Sequence, residues 1–258
     1  MSARSALRSP SVRAKVMGSL FIAVGIYLII FYNENIYLNI GFGALFIGLF
    51  AIIVIREKTV PKKLNDAQLL SNMEFLHSLT DDLDLKGNGL YIPAGSNLSK
   101  ERVFIPLQEE EKYNLPALDD NTVFVTGTSG SSLGVILVPP GLGLLDLYEN
   151  EMGIKIENID VDELEQNLQI MIYGFGLVKD LSIKREDNEL IRLKITHLAY
   201  KDVCDEIAKN SNKICSQAGC PICSSVLCAI TRSLGKKVRI QEVNKKDNEI
   251  SFKLKIGG

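Results

Sequence analysis

All five cysteines of this 258-residue chain fall between residues 204 and 228, four of them spaced Cys215-x4-Cys220-x2-Cys223-x4-Cys228. A cysteine sulfur acts chemically as a thiolate, which either ligates a soft metal or serves as a nucleophile. Cys220 and Cys223 flank Pro221 at a predicted helix start. There the helix dipole favours the thiolate, and both sulfurs can face one side. With Cys215 from the preceding loop they form three ligands, and Cys204, Cys228 or His197 supplies a fourth, for zinc or an iron–sulfur cluster. The competing reading makes Cys223 and Cys228 small buried hydrophobes. A strong zinc pattern has two separated C-x-x-C pairs, and this chain has one.

Other residue types offer less. Gly127-Thr-Ser-Gly-Ser-Ser-Leu-Gly134 has the glycines of a phosphate loop. It lacks the Gly-Lys-Ser/Thr ending and leads into a strand, so it reads as a hairpin loop. His77 sits beside Phe75 and Leu76 on an amphipathic helix, and His197 closes a strand. Neither has the neighbours of a catalytic triad, so both read as structural. Asp81, Asp82 and Asp84 read as an acidic helix-ending turn.

The elements that position these residues follow from periodicity. Leu64, Leu69, Leu70, Met73, Leu76 and Leu79 recur at helical spacing. Strand-like runs follow at 89–93, 102–107, 122–126 and 134–138, rich in β-branched or aromatic residues and bounded by Gly, Pro, Asn or Ser. Between the second and third, Glu109-Glu110-Glu111-Lys112 reads as a solvated loop. Pro139-Pro140 opens a helix through Tyr148, and Asp160 or Asp162 caps the next one. Two hairpins, 177–184 with 189–195 and 237–243 with 249–256, bracket helices at 200–209 and 221–234. Strands come in groups without a helix after each, which predicts an α+β fold with a mostly antiparallel sheet. Residues 64–258 are one such domain, or two subdomains divided as 64–153 and 154–258.

The N-terminal part is different. Val16–Tyr32 and Ile36–Ile55 are runs of seventeen and twenty residues without a charge, separated by Asn33-Glu34-Asn35. As helices they span roughly 26 and 30 Å, close to the thickness of a bilayer core. The short connection predicts a transmembrane helical hairpin, with Tyr27, Phe31, Tyr32 and Tyr37 gathered at its turn. Basic residues flank it: Arg8, Arg13 and Lys15 in the segment 1–15, and Arg56, Lys58, Lys62 and Lys63 in the linker 56–63. The connection carries only Glu34, so both termini are expected on the cytoplasmic side of the cell membrane. A signal peptide fits less well, because a second apolar span follows at once. Ser19-x3-Ala23 and Ala44-x3-Gly48 offer small faces for packing one helix on the other. Neither span holds an ionisable group, which disfavours a pump or transporter.

Charge narrows the partners. Residues 1–55 are net +3, while the whole chain is −2, leaving −5 for the remainder. That is unsuited to nucleic acid. The lipid bilayer and a protein partner or small ligand remain.

The layout of the chain resembles an uncharacterised archaeal membrane-protein family. The likeness runs through the paired apolar helices, Lys86–Leu107 (KGNGLYIPAGSNLSKERVFIPL), Tyr113-Asn-Leu-Pro116, Gly134–Gly141 (GVILVPPG) and the helix Asp160–Tyr173. It implies a two-helix anchor carrying a cytoplasmic α+β domain and transfers no catalytic residue. Cys215–Cys228, Gly235–Glu242 and Ile250–Ile256 are also similar to the end of 4-vinyl reductase type small-molecule-binding domains. That likeness implies a Cys-Pro helix before a terminal hairpin and binding of a hydrocarbon-like ligand or metal. Asn248 and Glu249 depart from its pattern, which has Gly-Asp and a further Cys there.

These readings combine into a non-catalytic, membrane-anchored protein whose cytoplasmic domain binds a partner or small ligand. The rival is a metal- or thiol-dependent sensor or enzyme built on Cys215, Cys220 and Cys223.

Overall fold

The computed structural model describes residues 10–32, 34–54, 62–95, 97–126, 132–196, 201–210, 213–246 and 248–257. Arg8, most of the 56–63 linker, the glycine-rich 127–131 stretch and His197 lie outside them. The chain divides into two compact units, Met1–Leu64 and Asn65–Gly258.

The first unit is a pair of antiparallel helices, α1 (Pro10–Phe31) and α2 (Asn35–Val54). Within α2, Asn35–Ile53 is long and apolar enough to cross a membrane, and Val16–Phe31 is a shorter apolar helix. Only 11% of Asn35–Ile53 is buried, so most of its apolar side chains away from the other helix face outward. The helices touch through glycine. Gly18 and Gly25 are buried against Gly48 and Gly41, where an added Cβ would meet the facing carbonyl oxygen within 3.0 Å. The packing is intramolecular, but Ser19 and Ala23 are exposed and lie outside the contact. Of the expected small residues, Gly48 is the one at the centre of it. Two glycines seven apart on each helix place one small side on the same face every second turn, which lets the backbones approach. The rings of Tyr27, Phe31, Tyr32 and Tyr37 stack at the connection, with centroids 4.7–6.3 Å apart.

The second unit is α+β. Its helix α3 (Lys62–Asp82) precedes strands β1 (Leu90–Ile92), β2 (Arg102–Pro106), β3 (Phe124–Val125) and β4 (Gly134–Leu137). Helices α4 (Leu142–Met152) and α5 (Val161–Gly174) lead to the hairpin β5 (Asp180–Arg185) and β6 (Leu190–Thr196). Then come α6 (Lys201–Asn210), α7 (Ile214–Gln217), α8 (Pro221–Leu234), β7 (Val238–Lys246) and β8 (Glu249–Ile256). The eight strands form one sheet ordered β3-β4-β2-β1-β7-β8-β6-β5, with every neighbouring pair antiparallel. The halves 64–153 and 154–258 therefore share this sheet, joined where β1 pairs with β7.

The core lies between the sheet and α8, with α4 and α5 beside it. Pro221 at the first turn and left-handed Gly235 at the end give α8 the bounds its sequence predicts. By length and composition, Ile214–Leu234 is as able to cross a membrane as α2, but 89% of it is buried inside the unit. That burial makes it a core segment. A second, smaller cluster of Leu90, Phe104, Tyr113, Val125 and Ile136 packs on β1, β2 and β4. The expected strand 122–126 is cut to the two residues of β3, which pair with β4 at the sheet edge. The acidic loop is exposed yet engaged. Glu109 pairs with the buried Arg239 guanidinium, which lies 4.5 Å from the Tyr113 ring centroid, and Glu110 accepts from Ser132 Oγ at 2.7 Å.

Three core tyrosines supply a pH test. Burial raises Tyr91 and Tyr148 above the ordinary phenol range and pushes Tyr113 up to about 12. Unfolded tyrosine ionises near pH ~10. The folded state therefore keeps protons that the unfolded state releases, and its stability falls as pH rises above that value. The contribution is intact below pH ~10 and lost as pH climbs through about 12 for Tyr113. Ultraviolet phenolate absorbance and circular dichroism, followed together, should show these three tyrosines titrating only as the fold is lost. An early phenolate step in Tyr91→Phe or Tyr148→Phe protein that matches wild type would place the early-titrating groups elsewhere; loss of that step in either variant would refute the prediction.

Candidate functional site

The cysteines come together from three helices. Val203, Cys204 and Ile207 form the buried face of α6, so Cys204 points inward among apolar neighbours. Cys215 lies on α7, a four-residue helix where the sequence predicts a loop. Gly219 then turns the chain at φ +70°, a left-handed conformation that a side chain would strain. This reversal puts Cys220, the N-cap of α8, next to Cys204, and Cys223 follows on the first turn. The Tyr91 hydroxyl fixes the reversal by donating to the Ala218 carbonyl at 2.5 Å, and it meets Ser224 Oγ at 2.9 Å.

All four thiols are buried and free. Cys204 neighbours Cys215 and Cys220, and Cys220 neighbours Cys223, closely enough for the thiols to shift one another's titration. Of the residues the sequence offers as a fourth ligand, Cys204 is the one that lies beside these thiols, Cys228 does not, and His197 is outside the described residues. Cys228 sits farther along α8, near Ser224 and Arg232, where burial pushes its thiol up. It is a packed core thiol, as the bland reading of the motif expects.

One cation completes the site. Lys245, on β7, places its Nζ 3.8 Å from Cys204 Sγ, 3.1 Å from the Cys204 carbonyl and 2.8 Å from Asp205 Oδ1. Burial opposes its charge, but Asp205 and the Cys204 sulfur outweigh that and raise Lys245 above the usual lysine range. The neighbouring Cys215 and Cys220 thiols and, after them, the Lys245 ammonium hold the Cys204 thiol below the usual thiol range against the cost of burial. Cys215 and Cys220 move the other way, raised by the neighbouring Cys204 and by burial. Sequence alone gives no sign of Lys245, which lies 41 residues from Cys204.

Among the described residues, no group of three or more His, Cys, Asp or Glu side chains is disposed to hold a metal ion. The four thiols are buried and free, and elemental analysis decides whether zinc or an iron–sulfur cluster joins them. A small crevice of about 10 Å³ opens on Cys204 and Cys220 between Leu69, Ile207 and Pro221. Next to it, α3 and α6 border a cleft of about 540 Å³ lined by Met73, Glu74, His77, Glu206 and Ile207. His77 is half-buried in that wall. Asp84, in the acidic turn, forms a surface pair with Lys86 at 2.8 Å.

No curated protein matches the chain. No solved structure matches it either. A family model does, over residues 3–255, which takes in both units and all five cysteines. On that match, the chain belongs to the family described as Domain of unknown function (DUF7982).

Proposed function

We propose that this protein is a membrane-anchored sensor whose α+β unit, held on the cytoplasmic side, responds to thiol-directed chemistry at Cys204, Cys215, Cys220 and Cys223. It binds and signals and does not turn over a substrate. The reading is carried by the contact between Lys245 and the Cys204 sulfur within a set of neighbouring buried thiols. Inert packing of cysteine needs no cation, whereas a lysine ammonium beside a sulfur favours the thiolate. The anchor is supported by the outward-facing apolar helices and the basic flanks. A cytoplasmic site also keeps neighbouring thiols reduced and ready to react.

Two measurements test this. The protein should remain in membranes after an alkaline wash, with a C-terminal reporter exposed to the cytoplasm. Recovery in the soluble fraction, or a reporter facing outward, refutes the anchor. Protein purified anaerobically should show five titratable thiols without stoichiometric metal. Zinc or iron at one equivalent, lost in Cys220→Ser, would replace the thiol sensor with a metal centre.

A further inference from the structure

We infer that Cys204 is a peroxide-reactive cysteine, resolved by Cys220 into a disulfide that ties α6 to the N-terminus of α8. The inference rests on the thiol-sensor reading and names its reagent.

Three observations converge on it. Lys245 Nζ faces Cys204 Sγ at 3.8 Å and sits where it can stabilise negative charge on that sulfur. A second thiol, Cys220, neighbours the same sulfur. Both cysteines line the one crevice. At about 10 Å³ that crevice admits a molecule near the size of water. Hydrogen peroxide is of this size, whereas glutathione disulfide is many times larger. The apolar walls, Leu69, Val203, Ile207 and Ile222, offer nothing to hold a charged peptide oxidant. A low-pKa thiol beside a resolving cysteine is the arrangement that redox-responsive sites require.

The chemistry balances in two steps. The Cys204 thiolate attacks one peroxide oxygen; the S–O bond forms as the O–O bond breaks. Sulfur loses two electrons to the peroxide, and the departing hydroxide takes a proton to leave as water. The Cys220 sulfur, releasing its proton, then attacks the sulfenic sulfur. The S–S bond forms, the S–O bond breaks, and hydroxide leaves with that proton as the second water. Two thiols and one peroxide give one disulfide and two waters. The product removes the negative sulfur that Lys245 faces, so Lys245 keeps only Asp205 and the Cys204 carbonyl.

The test uses full-length protein in mild detergent, reduced and then exposed to one equivalent of hydrogen peroxide before alkylation. Trypsin separates Cys204 on Asp202–Lys209 from the other four cysteines on Ile214–Arg232. The expected product is these two peptides joined and lighter by two hydrogens, with fragment ions placing the bond at Cys220. Glutathione disulfide should form it at least ~10-fold more slowly, given restricted access to the sulfur. Cys220→Ser should halt the reaction at a sulfenic acid that dimedone traps on Asp202–Lys209, and Lys245→Met should slow the wild-type reaction at least ~10-fold. Absence of the joined peptide, dimedone label only on Ile214–Arg232, or glutathione disulfide reacting as fast as peroxide would overturn the inference. In each case alkylation or metal uptake at the cysteines would still report on the thiol-sensor reading separately.

Discussion

Replacing Arg232 with methionine is expected to destabilise the α+β unit by about 3–5 kcal/mol, the cost of leaving buried charge without its partner. Arg232 projects from α8 into three carboxylates. Its Nε and Nη2 donate to Glu101 at 2.7 and 2.8 Å, Nη1 to Glu149 at 2.5 Å and Nη2 to Asp146 at 3.2 Å. The Glu101 side chain is only 3% exposed and that of Arg232 13%, so water replaces little of what the substitution removes. Glu101, by its hydrogen bonds, raises the guanidinium above even the usual arginine range. Lys100 pairs with Asp146 at 3.2 Å but does not reach Glu101. Urea unfolding of full-length protein in detergent, followed by tyrosine fluorescence, measures the loss. Arg232→Lys should fall between, since a lysine cannot make the two-pronged contact with Glu101. Adding Glu101→Met to Arg232→Met should recover part of the stability. A single variant within about 0.5 kcal/mol of wild type would show the cluster to be solvated.

Gly89→Ala and Gly141→Ala are expected to exceed the ordinary cost of overpacking, about 1–3 kcal/mol. A Cβ on Gly89 would lie 1.7 Å from the Gln217 carbonyl oxygen, and one on Gly141 would lie 2.0 Å from the Ser225 nitrogen. Both obstacles are backbone, which cannot rotate aside. Gly89 also donates to the Ser216 carbonyl at 2.9 Å and accepts from the Ile240 N–H at 2.9 Å, so it cannot retreat without breaking either contact. The segment displaced in each case carries Cys215 or Cys220, and thiol alkylation should quicken along with the loss of stability. Gly143 is the internal control. Nothing lies within 4 Å of its Cβ, and Gly143→Ala should be neutral or stabilising by up to ~1 kcal/mol. A Gly89→Ala protein as stable as the Gly143→Ala protein would refute the close approach.

These expectations mark where sequence reasoning works. Pro221 and Gly235 delimit α8 in the sequence as they do in the structure, because start and stop chemistry is local. The α+β class follows similarly from the grouping of strands. The cysteine spacing identifies Cys215, Cys220 and Cys223, since one turn and one helix hold all three. Choosing Cys204 as their companion depends on how α6 packs, and Lys245 arrives from a strand formed later in the chain. Arg232 and Glu101 are 131 residues apart, and no spacing rule connects them. The hairpin contact was misplaced for another reason. Small residues are abundant in both helices, and the facing set, Gly18 and Gly25 against Gly41 and Gly48, depends on helix rotation.

The position of β7 and β8 bears on how the protein is made. These strands are the last of the sheet in sequence, yet they fill its middle, between β1 on one side and β6 on the other. During synthesis the two apolar helices emerge early, and both flanks of the sheet exist before anything joins them. Until β7 arrives, β1 and β6 present open edges that invite pairing with other chains. A ribosome stalled after Gly235 would therefore leave a nascent chain with its apolar helices made and its sheet in two halves, a natural client for chaperones.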